Sequence, residues 1–342
     1  MEQLHTDKNL EEVLIEIVLL DSIYDVLLHP FYVSRTLVEF GQELWPLKIG
    51  RRFWFFGPRE FFAPNFLTYT NNLYQAYGLK ALMWGLNGRL IANGITTIVD
   101  AAIEKPISTL FMDRLPGQMG HTCERLNETP LTSFQHFRWF FSRLIQKTIV
   151  RSICLFVSYP FTTVALRQIA QHIGIASPTV YTSVFNTLKV IIDEETPRGL
   201  YAGFVPALFS MYISIWGTSL IDYSVKRFYA QITMVPLPKK LCYFVLLLKS
   251  ASNLVFVAPL AQAYRNTSRL MNITGTRLSS TVMPITPKFS HWTESYRYLQ
   301  LQNGLYRGWF PFWRIHRGHV RVVGDLFYAD YRHFLWFNHT KC

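Results

Sequence analysis

One short phrase occurs three times along the chain: Ala-Leu-Met-Trp-Gly at Ala81 to Gly85, Gly-Leu-Tyr-Ala-Gly at Gly199 to Gly203, and Gly-Leu-Tyr-Arg-Gly at Gly304 to Gly308. Each copy follows a proline that interrupts an apolar segment. From Pro30, Pro160 and Pro259 to the last glycine of the phrase the spacing is 55, 43 and 49 residues. A tandem triplication with a period near one hundred is the simplest source of this pattern, one structural unit copied along the chain. The spacing predicts three helix pairs in a single domain spanning 1–342, with repeat one at 10–112, repeat two at 136–230 and repeat three at 238–337.

Where such pairs can fold depends on their polarity. Half of the residues are hydrophobic and 16% are charged, against roughly 25% charged in a soluble domain, so the expected class is an all-α membrane protein. No segment is a uniform apolar run of about twenty residues, which places polar side chains inside the bundle, where function is to be sought. The net charge of +12 suits an anionic membrane surface or an acidic partner. Nucleic acid is not expected, because no basic helix stands apart from the apolar segments. Cys123, Cys154, Cys242 and Cys342 show neither CxxC nor zinc spacing. Glu2, Asp7, Glu11, Glu12 and Glu16 give an acidic start, unlike a secretory or mitochondrial presequence, so no cleaved address is expected. Four glycosylation triplets, at Asn127, Asn266, Asn272 and Asn338, are a pattern common by chance.

Six long segments read as helices, at 12–39, 86–111, 138–172, 204–229, 240–270 and 310–337. Shorter amphipathic stretches at 66–82, 179–195 and 289–303 end at the glycine phrase, which supplies a stop. The stretches 41–65 and 112–135 read as loops. On a helical wheel the first segment gathers Asp21, Asp25, His29, Tyr32, Arg35, Thr36 and Glu39 within about 120° of arc. The second gathers Arg89, Asn93, Thr97, Asp100 and Glu104, and the third Arg143, Lys147, Arg151, Cys154, Ser158 and Thr162. The fourth repeats Ser210, Ser214, Thr218, Asp222 and Lys226, and the fifth adds Lys249, Ser252 and Asn253. One polar stripe per helix is what a water-bearing cavity requires. The plainer reading turns the same stripes toward headgroups, with Lys and Arg snorkelling. It suits Asp21 and Asp25 less well, since a carboxylate cannot snorkel far and an ionisable group at bilayer centre costs roughly 2.5 to 3.5 kcal/mol.

The sixth segment is the exception. It carries Arg314, Arg317, Arg321, Asp325, Asp330 and Arg332 together with His316 and His319, and six such charges would cost on the order of 10 kcal/mol in lipid. It is therefore expected to be a degenerate or displaced helix that does not span. Five helices would then enclose a cavity open sideways to lipid, a slot that lowers the cost of bringing polar groups into the hydrocarbon layer. Its natural client is an amphiphile, either a membrane-entering polypeptide with polar flanks or a lipid whose headgroup must cross.

These residues resemble the mitochondrial carrier superfamily through the three proline-centred odd helices and the glycine-aromatic-glycine phrase. Glu195-Thr196-Pro197-Arg198-Gly199-Leu200-Tyr201-Ala202-Gly203 and Phe204-Val205-Pro206 are close to the carrier pattern. Ser158-Tyr159-Pro160-Phe161 and Leu166-Arg167 look like the divergent mitochondrial carrier homolog branch of the outer membrane. The resemblance is loose over most of the chain and good over about 143–228. It implies a pseudo-threefold bundle in which Pro30, Pro160, Pro259, Gly85, Gly203 and Gly308 are structural. Carriers place an acid two residues and a base five residues after each proline, forming a gate of ion pairs. Here the acid positions hold Tyr32, Thr162 and Ala261, and the base positions hold Arg35, Ala165 and Tyr264. Only Arg35 keeps its type, and with no acid for it to meet the gate is not expected to form. The homolog branch implies an outer-membrane protein that inserts helical membrane proteins, tail-anchored ones among them, and lets lipids cross.

Taken together, the expected function is insertion through a hydrophilic groove of Asp21, Asp25, His29, Arg89, Asn93, Asp100, Arg143, Lys147, Arg151, Lys249 and Asn253. The alternatives are a mitochondrial solute carrier, a lipid scramblase or a docking receptor on the same fold. Expected partners are membrane lipids and hydrophobic helical clients; oligomeric state and orientation stay open. No catalytic set, cofactor or metal site is expected. His316 and His319 lack a nearby acid or cysteine set, and no phosphate loop, nucleophile elbow or zinc-protease motif occurs. Phe53, Trp54, Phe55, Phe56, Phe61 and Phe62, like Trp309, Phe310, Phe312 and Trp313, read as interfacial anchors.

Overall fold

Prolines at 30, 106 and 160 lie inside unbroken helices in the computed structural model of the chain. The structure describes residues 10–53, 56–112, 133–171, 180–233, 239–274, 289–310 and 312–330. The cysteines at 123 and 342, the triplets at 127 and 338, the loop at 113–132, Trp54, Phe55 and Arg332 lie outside them. Five of the six long segments are helical: α1 (Leu10–Phe40), α4 (Leu86–Met112), α5 (Ser133–Ala170), α7 (Phe204–Thr233), and the run formed by α8 (Lys239–Ser252), a π-helical turn (Asn253–Val257) and α9 (Ala258–Ile273). The π turn stands immediately before Pro259, whose ring cannot share the regular ladder. The three amphipathic stretches become α2 (Phe66–Tyr77) with the single turn α3 (Leu79–Leu82), α6 (Val184–Glu195) and α10 (Trp292–Leu301). Asn65 and Ser183 cap α2 and α6 by accepting from Thr68 N at 2.8 Å and Asn186 N at 3.2 Å. Phe134–Ala170, Pro197–Val225 and Leu246–Ile273 are long and apolar enough to cross a membrane.

The chain divides into two compact units. Unit 1 takes Met1–Gly94, Ser158–Ala207 and Gln262–Cys342; unit 2 takes Ile95–Val157 and Leu208–Ala261. The core of unit 1 joins Val33 and Leu37 of α1, Val164 and Ile169 of α5 and Leu270 of α9 to Tyr69, Leu73, Ile191 and Leu299 of the short helices. On the wheel, Leu37 and Val38 share the apolar side with Leu19, Leu20, Ile23, Leu27 and Phe31. The latter five are exposed, as a lipid-facing surface would be, whereas the last turn of α1, from Thr36 to Phe40, is buried all round.

Unit 1 also explains the repeated phrase. Gly85, Gly203 and Gly308 all have positive φ, at 75°, 73° and 70°, a conformation that favours glycine. Each presents its bare Cα to a proline-bearing helix. A Cβ at Gly85 would lie 2.6 Å from the Ala165 carbonyl oxygen, one at Gly203 2.5 Å from that of Ser268, and one at Gly308 3.4 Å from Glu39 Cγ. A glycine of each repeat thus meets the odd helix of the next, and the third returns to the first. The carbonyl just before each glycine is satisfied by the proline-bearing helix of its own repeat. His29 Nε2 reaches Trp84 O at 2.9 Å, Tyr159 Oη donates to Ala202 O at 2.8 Å, and Gln262 and Asn266 both donate to Arg307 O at 3.0 Å. In repeat two, Arg167 clasps Glu195 through two 2.7 Å bonds, joining α5 to the end of α6 within the stretch most like the carrier pattern.

In unit 2 the helices are stitched by small polar side chains. Ser210 donates to Ala261 O at 2.8 Å, Trp216 Nε1 to Thr148 Oγ1 at 3.1 Å, and Ser152 and Tyr212 share a bond of 3.0 Å. Gly217 lets α7 approach the π turn, since a Cβ there would fall 2.6 Å from a Val257 methyl.

Two sequence expectations fail here. The 310–337 segment is not a displaced helix. Its described part forms β3 (Ile315–His316), β4 (His319–Val323) and β5 (Leu326–Asp330). The expected loop at 41–65 contains β1 (Lys48–Phe53) and β2 (Phe56–Phe62), and β3 joins them in a sheet of order β1-β2-β3 while β4 and β5 pair as a hairpin. Arg321 faces Tyr328 and Val322 faces Phe327 across that hairpin, so alternate side chains leave on opposite faces as a strand requires. The same charges on a helix would have spread round its whole circumference. Arg314 fastens the module to unit 1, bonding Glu43 and donating to Pro64 O at 2.7 Å.

Burial, with Arg307, Arg314 and His319 nearby, holds His316 below its ordinary value of 6.5 despite the His319 carbonyl 3.1 Å from Nε2. The unfolded chain therefore binds this proton first, and the stability His316 contributes is present above pH 6.5 and lost as pH falls below it. Protection of the β3 and β4 amides, relative to the intrinsic exchange rate at each pH, is expected to fall on acidification below that point, and to lose this response in His316→Gln.

Candidate functional site

Asp25 of α1 and Arg89 and Asn93 of α4 form the most enclosed part of the expected groove. One helical turn separates Arg89 from Asn93, so both side chains reach the same carboxylate. Arg89 Nη2 donates to Asp25 Oδ1 at 2.7 Å while Asn93 donates to Oδ2. The guanidinium lies 4.0 Å over the Tyr32 ring, and the paired side chains keep only 17% and 14% exposure. The Tyr32 ring also stacks on His29, centroids 5.8 Å apart. Asp21, one turn earlier, is exposed.

Beyond Pro30 the stripe continues into a second cluster. Glu39, whose side chain is 1% exposed, receives Arg35 at 3.0 Å and Arg269 at 3.2 Å. Gln262 donates to Glu39 at 2.9 Å and accepts from Arg35 at 2.9 Å. Arg269 also donates to Tyr32 Oη at 3.4 Å, linking the two clusters through one phenol. The expectation that Arg35 meets no acid is overturned: Glu39, one turn along the same helix, supplies it, because the carboxylate has moved from the usual position after the proline to nine residues past it. Sequence reading placed Glu39 on the stripe but left it out of the groove, and it missed Gln262 and Arg269. The signal was present in α9, where Gln262, Asn266 and Arg269 recur at helical spacing.

The remaining groove residues belong to unit 2. Arg151 pairs with Asp100 at 3.3 Å, and Cys154 Sγ lies 3.8 Å from the same carboxylate. Lys249 pairs with Asp222 at 2.8 Å. Arg143 rests 5.5 Å over the Trp139 ring of its own helix, Lys147 is exposed, and Asn253 opens the π turn. Asp25, Arg89 and Asn93 in unit 1, and Asp100, Arg151 and Lys249 in unit 2, are thus held in contacts within their own unit. Side chains paired this way can exchange partners with an entering polar group, as a polar path requires.

Proline-bearing helices locked by glycine contacts, apolar spans and internal ion pairs define a repeat-built helical membrane protein of the carrier type. Residues 139–231 match the family model described as Mitochondrial carrier protein. The chain is 25% identical over 301 residues to mouse (Mus musculus) Mitochondrial carrier homolog 2, covering 87% of this chain and 92% of that protein. It is 24% identical over 297 residues to the Homo sapiens Mitochondrial carrier homolog 2, with the same coverage. To the mouse Mitochondrial carrier homolog 1 it is 22% identical over 292 residues, covering 82% and 71%. The chain is thus similar to mitochondrial carriers over residues 139–231 and to the carrier homologs over most of its length.

Proposed function

We propose that this carrier-family membrane protein inserts α-helical membrane proteins, tail-anchored ones included, into the outer mitochondrial membrane. The observation that carries the reading is the replacement of the last expected helix by strands at 315–330. A six-helix carrier ring then lacks one wall, and the Asp25, Arg89 and Asn93 cluster of unit 1 borders a wet groove that opens to lipid. A client's short polar flank slides along Asp25, Arg89 and Asn93 while its apolar helix leaves sideways. No bond is made or broken, no cofactor is required, and the partners are lipids and helical clients. The cyclic glycine contacts support a pseudo-threefold arrangement at one end of the bundle.

Solute exchange is the second reading, favoured by the Glu39 cluster, which joins α1 to α9 by ion pairs as a carrier gate does. Liposomes separate the two. With the purified protein, insertion of a tail-anchored client should exceed that of empty liposomes several-fold, and Asp25→Asn with Arg89→Gln should change that yield while the bundle stays folded. Equal yields with and without protein, or saturable uptake of a small solute in place of insertion, would reverse the order. Bleaching of fluorescent lipid in the same liposomes reports scrambling.

A further inference from the structure

The cluster around Glu39 holds more positive charge than its one carboxylate balances. Gln262, Arg265 and Arg269 follow one another along α9 at spacings of three and four residues, so they share a face of that helix. Gln262 and Arg269 both meet Glu39 of α1 there. Arg265, between them, makes no hydrogen bond or ion pair among the described residues. The ionisable groups that act on it are Glu39, Arg35, Arg269 and Tyr32. Three guanidinium groups therefore crowd about one acid, all of them within unit 1.

This excess is not spread into open water. Arg269 keeps 13% exposure and Arg265 is half-buried, while Arg35, at 40%, is the side on which the cluster can be reached. Like charges in a partly dry setting repel strongly, and a buried charge without a counter-charge is costly, so the arrangement calls for an anion. The donors left over say which kind. Arg35 gives one N–H to Glu39 and another to Gln262, and Arg265 gives none to the described residues. A guanidinium presents its N–H groups as a planar fork that fits a carboxylate or phosphate two bonds at a time. A tetrahedral oxyanion can accept such a pair from each arginine, which a halide with its single centre cannot.

We propose that Arg35 and Arg265 hold a phosphate-like oxyanion between them, and that this bound ion fastens α1 to α9. It stays in the joint and is no cargo, so the site stands or falls apart from the insertion reading. The test is the thermal midpoint of the full chain in detergent, with inorganic phosphate titrated against chloride at equal ionic strength. Millimolar phosphate should raise the midpoint and chloride should not, because a ligand bound by the folded chain alone stabilises it. Phosphatidic acid in phosphate-free micelles separates the two sources of the same chemistry: a rise with inorganic phosphate assigns the site to a water-borne ion, and a rise with phosphatidic acid alone assigns it to a lipid headgroup. Arg265→Gln relieves the repulsion, so without phosphate it should melt no lower than the parent chain, and its response to phosphate should fall several-fold. Arg265→Lys keeps the charge but loses the fork and should also respond several-fold more weakly, which covers the case in which the glutamine variant does not fold. An arginine with a purely structural role would lower the midpoint on removal and leave the phosphate response intact. That result, an equal rise with chloride, or no rise with either source of phosphate would overturn the proposal.

Discussion

Replacing Glu39 by glutamine is expected to lower stability by on the order of 3 kcal/mol, because the change keeps the shape of the side chain and removes the carboxylate that pairs with both Arg35 and Arg269. Breaking a buried pair leaves a charge without compensation, which costs far more than the pair itself contributes. Arg35 is 40% exposed and recovers water, whereas Arg269 is 13% exposed and does not. The sharper measurement is therefore a comparison. Glu39→Gln alone should depress the thermal midpoint strongly, and Glu39→Gln with Arg269→Gln should give much of it back. An equal loss in both would mean that the cluster is held by packing and not by charge.

This cluster also marks how far the sequence could be read. The helix pairs were legible because Pro30, Pro160 and Pro259 and three glycine phrases impose a spacing that survives wide divergence elsewhere. Asp25 with Arg89 and Asn93 was legible because each helix carries its polar residues at a period near 3.6. Glu39 with Arg269 was not, since partners on α1 and α9 are separated by most of the chain and periodicity names a face without naming what it meets. The β module was hidden for a local reason. Gly50, Gly57 and Pro58 break the strand pattern of 48–62. A two-residue Gly324-Asp325 turn between Val323 and Leu326 did announce a hairpin; weighing that stretch only as a helix concealed it. The charge count that excluded a spanning helix was sound, and the chain resolves those charges by changing secondary structure.

The second large effect belongs to the glycine phrase. Gly203→Ala places a Cβ 2.5 Å from Ser268 O and 3.0 Å from its Cα, both backbone atoms that cannot turn aside. Gly78 serves as its control: its φ of 76° matches that of Gly203, and a Cβ there meets nothing within 4 Å. Gly78→Ala should cost only the strain of its positive-φ backbone, about 1 to 3 kcal/mol. Gly203→Ala should cost that plus the separation of α9 from the phrase, enough to lose folded protein on purification. Matching losses at the two positions would show that the close approach is not what the repeated glycine protects.

The central claim is that the polar groove faces both water and acyl chains because strands stand where a sixth helix would close it. A spin label at Asn93→Cys tests this directly in reconstituted vesicles, since Asp25 keeps its bond to Arg89 when Asn93 is lost. The account predicts that the label collides with oxygen dissolved in the bilayer and with a water-soluble nickel chelate alike. A label reached by the chelate alone would mean a channel sealed from lipid, and would contradict it.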